Sequence, residues 1–83
     1  MKLQILQLTI VSPEHILFEG DVQLVTLPQT LGSFTVLPDH APIISSLENG
    51  EITFSADGEM KSIEIKGGFV EVKDNLISIC VEQ

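Results

Sequence analysis

The chain has 83 residues, enough for one domain, and at this size folding buries only about 60–65% of the surface that the unfolded chain exposes. Twelve acidic residues against four lysines and no arginine give a net charge of −8, which argues against binding phosphate backbones or an anionic membrane; a basic protein partner is attracted instead. The aromatics are four Phe without Trp or Tyr, so the core must be built from Val, Ile and Leu, a set that favours strands.

The first residues, Met1 to Leu8, contain no continuous apolar run and no small-residue cleavage site, so neither export nor membrane spanning is expected. Leu3 to Val11 reads as a strand that shifts phase: Leu3 and Ile5 share one parity, and Leu6, Leu8 and Ile10 the other. A bulge or burial of both faces would account for it. Ser12-Pro13-Glu14-His15 is a turn leading into a second strand around Leu17-Phe18-Glu19-Gly20, and Val22 to Leu27 is predicted as a third.

The run Leu27 to Pro42 holds three prolines and a glycine within sixteen residues, so a shaped loop is expected there, with a short extended piece from Ser33 to Leu37. Loops of this kind on a rigid scaffold are where binding usually sits. Ile43 to Leu47 is the next strand. In the following one, Ile52, Phe54 and Ala56 alternate with Glu51, Thr53 and Ser55 as in a half-buried strand. Asp57-Gly58 is a strong hairpin signal before Ile63 and Ile65. Gly67-Gly68 reads as a strand-entry turn before Val70 and Val72, and Asp74-Asn75 as a turn before Ile77, Ile79 and Val81.

With no helical period of useful length, the expected fold is all-β: an antiparallel β-sandwich or flattened barrel of about ten short strands, one domain over residues 1–83. The four apolar parity sets in the second half should point into one core.

Candidate chemistry is thin. Asp39-His40 invites an acid–base reading and Ser45 and Ser46 a nucleophilic one, but adjacent residues in a Pro-bounded turn serve turn formation, with Asp39 bonding nearby backbone groups. His40 reads equally as a hydrogen-bonded corner and as a surface contact. His15, His40 and Cys80 lack zinc-ligand spacing, and Gly67-Gly68 lacks the third glycine and the helix of a phosphate loop. Cys80, the single cysteine, forms no intramolecular disulfide, fits a reducing compartment and reads as a small packed hydrophobe. No enzyme, metal or cofactor is expected.

Several ordered motifs, taken together, are far more specific than any one of them. They are Val11-Ser12-Pro13-Glu14, Leu17-Phe18-Glu19-Gly20, Leu27-Pro28, Gly32-Ser33-Phe34, Leu37-Pro38-Asp39-His40-Ala41-Pro42, Leu47-Glu48-Asn49-Gly50 and Gly67-Gly68-Phe69-Val70-Glu71-Val72. On these the chain resembles the N-terminal sandwich domain of the epsilon subunit of F-type ATP synthases.

The resemblance implies a ten-stranded, non-catalytic sandwich at the foot of the rotor's central stalk, between the gamma subunit and the c-ring. It implies a place on the cytoplasmic face of the bacterial inner membrane, reached without membrane insertion, and a mechanical role in proton-driven ATP synthesis. By the same resemblance Gln29, Thr30, Leu31, Gly32 and Ser33 face the c-ring, and Ser12 and His40 lie toward gamma. Ser33 stands where some members carry an acidic residue, so contact there would rest more on shape and backbone. Family members commonly add a C-terminal helical hairpin that restrains ATP hydrolysis and in some cases binds ATP; the sequence ends at Glu82-Gln83, resembles the short form, and carries no expectation of nucleotide binding. The alternative from a different class is a small all-β recognition module that takes a peptide strand or protein partner at its edge.

Overall fold

A computed structural model describes residues 5–83; Leu3, whose parity entered the expectation for the first strand, lies outside the described residues. Nine strands are present among them: β1 (Leu6–Val11), β2 (Ile16–Val22), β3 (Val25–Gln29), β4 (Gly32–Val36), β5 (Ile43–Leu47), β6 (Gly50–Ala56), β7 (Glu59–Ile65), β8 (Gly67–Lys73) and β9 (Leu76–Glu82). They form a five-stranded sheet in the order β2-β1-β9-β8-β5 and a four-stranded sheet in the order β4-β3-β6-β7. The all-β sandwich is as expected. The two sheets stack and do not close into a barrel.

The core lies between the sheets, and the period of two in each strand decides which residues enter it. Leu6, Leu8 and Ile10 of β1 meet Ile77, Ile79 and Val81 of β9 and Val70 and Val72 of β8; Ile52, Phe54 and Ile65 answer from the other sheet. All four parity sets read from the sequence point inward, with Ile63 packed at the margin. Phe54 is the largest buried side chain, and its ring lies 4.5 Å from that of Phe18 in β2 at 51°, tying the sheets together.

Three local features differ from the expectation. β1 and β9 pair in parallel, Leu8 beside Ile77 and Ile10 beside Ile79, whereas an all-antiparallel arrangement was expected. Tight turns force antiparallel pairing only on strands they join, and these two are joined by the rest of the chain. Val22 to Leu27 is not one strand: the chain crosses between sheets at Gln23-Leu24. There Gln23 N–H donates to the Ser55 carbonyl at 3.0 Å, Ser55 N–H donates to the Leu24 carbonyl at 3.2 Å, and Ser55 Oγ donates to Gln23 Oε1 at 3.2 Å. This corner covers Ser55, the one buried polar residue among those described, despite its solvent-side parity.

The third difference is Gly67-Gly68, which lies inside β8 and not in a turn. A Cβ on Gly68 would lie 2.3 Å from the Cys80 carbonyl oxygen, so glycine is required by the close approach of β9 and not by unusual angles. The Asp57-Gly58 and Asp74-Asn75 turns form as read, all four residues having positive φ as a type I′ hairpin demands.

Candidate functional site

Leu27 to Pro42 forms a hairpin and a separate Pro-bounded turn, and Pro28 sits within a strand. Its carbonyl points away from β4 and accepts from Glu48 N–H at 3.1 Å. A strand residue's N and C=O face the same edge, so the missing donor falls beyond the Val25 and Thr26 pairing with β6 and costs no ladder bond. Thr30 and Leu31 make the β3–β4 turn, which Gly32 closes at a φ of 115° that a side chain rarely adopts.

Two side-chain contacts stiffen this hairpin. Thr26 and Thr35 hydroxyls share a hydrogen bond of 3.0 Å across it, and Gln29 Nε2 donates to Ser45 Oγ of β5 at 2.8 Å. Four of the five residues assigned to the ring loop, Thr30, Leu31, Gly32 and Ser33, are exposed, and Leu31 is 101% exposed. Gln29 is half-buried and spends its amide on the brace.

Ser12 and His40 are not brought together. Ser12 follows the β1 residue paired with Cys80 and closes the Ser12–His15 turn, donating its N–H to the His15 carbonyl at 2.8 Å and accepting His15 N–H on Oγ at 3.2 Å. His40 lies at the other end of the five-stranded sheet, beside Asp39, which is bonded to Asn75. The separation along the strands is on the order of 15 Å, so the two residues can serve only a partner that spans the sheet.

The His40 ring bonds the neighbouring Ala41 carbonyl at 2.9 Å, and Ser45 Oγ, besides accepting from Gln29, donates to the Ser46 carbonyl at 3.3 Å. These are local structural contacts. Asp39 reaches a distant turn, exchanging two bonds with Asn75. Among the described residues no group of three or more His, Cys, Asp and Glu is placed to hold a metal ion.

A surface that sequence reasoning missed lies on the outer face of the five-stranded sheet. Register aligns Ser46, Phe69, Cys80, Val11 and Ile16 in one row across β5, β8, β9, β1 and β2. Phe69 and Ile16 are each 66% exposed, and Cys80 is exposed as well, which corrects its reading as a packed residue. With Pro13, Leu47 and Gly68, four residues of this row, Ser46, Phe69, Cys80 and Val11, border an open groove of about 550 Å³. The signal was available: Phe69 and Cys80 sit on the parity opposite Val70 and Ile79. Contiguous exposed apolar surface is one mark of an interaction site.

Comparisons with known proteins agree with this shape. The family model for the beta-sandwich domain of the ATP synthase Delta/Epsilon chain matches residues 5–83. The ATP synthase epsilon chain of Leptospira borgpetersenii is 39% identical over 77 residues, covering 93% of this chain and 61% of that one. That of Desulfitobacterium hafniense is 41% identical over 75 residues, covering 90% and 57%. The chain thus spans about three fifths of the curated relatives' length. A chain in the structure of the Euglena gracilis mitochondrial ATP synthase, OSCP/F1/c-ring in rotational state 1, superposes with a TM-score of 0.90 at 21% identity, covering 98% of this chain and 52% of that one. One in the Tetrahymena thermophila mitochondrial ATP synthase central stalk and c-ring gives 0.80 at 18%, covering 100% and 67%. At these identities the superpositions speak for the fold.

Proposed function

The chain belongs to the family of ATP synthase Delta/Epsilon chain beta-sandwich domains, and on that premise we propose that it is a non-catalytic central-stalk subunit joining the gamma subunit to the c-ring. The observation that carries the reading is the match over every described residue, which relates the whole fold to one subunit of one machine. The relatives' shared identity as epsilon chains favours it over a free-standing recognition module. The proposed location is the cytoplasmic face of a bacterial inner membrane, at its periphery; no helix among the described residues is long and apolar enough to cross a membrane.

Two surfaces suit the role. The β3–β4 tip, Thr30 to Ser33, meets the c-ring. The outer face of the five-stranded sheet meets gamma, with Ser12 and His40 at its two ends and Phe69 in the apolar row between. The surfaces are mechanically continuous: Gln29 grips Ser45 and the Pro28 carbonyl holds Glu48, so a push on the tip reaches β5. β5 is laddered to β8, where Ser46 pairs with Phe69. Torque passes through cross-strand hydrogen bonds and packed side chains, and no reacting group is needed.

The reading is tested by stripping the subunit from inside-out membrane vesicles and adding it back. Proton-driven ATP synthesis should fall on removal and recover with the chain. Synthesis that is indifferent to both steps would contradict the function.

A further inference from the structure

The Pro-bounded turn between β4 and β5 carries His40 and belongs to no strand. A side chain from a distant hairpin fastens it. Asn75, in the type I′ turn between β8 and β9, accepts the Asp39 N–H on Oδ1 at 2.6 Å and donates from Nδ2 to Asp39 Oδ1 at 3.2 Å. Its own carbonyl accepts the Gln7 N–H at 2.9 Å, so the same residue is fixed to the start of β1. The His40 ring, by contrast, bonds its neighbour Ala41.

We propose that Asn75 is a positioning residue for partner binding: through Asp39 it sets the place of the His40 corner relative to the outer face of the five-stranded sheet, without itself touching the partner. The proposal rests on the reading that His40 faces gamma.

Backbone conformation separates this role from turn formation. Asn75 has a φ of 63° in a type I′ turn, where glycine is accepted as readily as asparagine. Asn75→Gly therefore keeps the hairpin and deletes the side chain whose two bonds reach Asp39. Asp39 itself has a φ of 66°, a left-handed conformation that its two bonds to Asn75 help to hold.

The test compares the full chain with Asn75→Gly and His40→Ala variants, using amide hydrogen exchange on the free protein and titration with purified gamma subunit. In Asn75→Gly the Asp39 amide should exchange about tenfold or more faster while the thermal midpoint is held or raised, since only a local opening is eased. Affinity for gamma should fall several-fold in both variants. An unchanged Asp39 exchange rate overturns the proposal at the contact itself. Full gamma affinity in Asn75→Gly, with affinity lost in His40→Ala, overturns positioning while the gamma reading stands. Full affinity in both variants removes His40 from the interface and the proposal with it.

Discussion

Phe54 shows how much of this fold rests on single side chains. It is 1% exposed, and it packs against Phe18 from the opposite sheet. Phe54→Ala should cost roughly 3–5 kcal/mol, transfer and cavity terms together, out of a total of about 5–15 kcal/mol for a domain. Urea denaturation should show a midpoint far below wild type or a chain already unfolded; a loss under about 1 kcal/mol would mean that the sheets are not held through this ring. Gly68 is the opposite case, a residue defined by what it lacks. The glycine pair suggested a turn, but the demand comes from the Cys80 carbonyl on β9, which the Asp74-Asn75 hairpin lays alongside β8.

At the scale of elements, the β3–β4 hairpin separates folding from binding. Leu31 makes no packing contribution, so Leu31→Asp should leave the domain's denaturation midpoint within about 0.5 kcal/mol of wild type, as for surface changes in general. It places a charge where the proposed c-ring contact loses water, and should weaken retention of the chain on ring-containing membranes. Unchanged retention would remove the hairpin tip from the contact. The elements that could be read from the sequence were those written in short-range chemistry: the Asp57-Gly58 and Asp74-Asn75 turns, and the alternation of Ile52 with Phe54 and of Ile77 with Ile79. The crossing at Gln23-Leu24 was hidden because Val22 to Leu27 holds no Gly, Pro, Asn or Asp to mark a bend, and the bend is fastened by Ser55, 32 residues from Gln23. The parallel β1–β9 pair and the Asn75–Asp39 bonds were hidden for the same reason. The outer row of Phe69, Cys80, Val11 and Ile16 comes from four strands and exists only after their registers are known.

For the whole molecule, acidity and shape point the same way. A body with net charge −8 keeps itself dispersed and draws a basic partner, while the uncharged row on its outer face gives that partner something to bury. The ring loop and the outer face are joined through β5, so a subunit gripping both can act as one stiff coupling. The central claim is that the outer face binds gamma, and it is tested most directly by titrating purified gamma subunit with the wild-type chain and with Phe69→Glu, a substitution at an exposed position that spares the core. The account predicts saturable one-to-one binding by wild type and an affinity lower by tenfold or more in the variant, as for an aromatic anchor at the centre of an interface. Equal affinity of the two chains, or no binding by either, would contradict it.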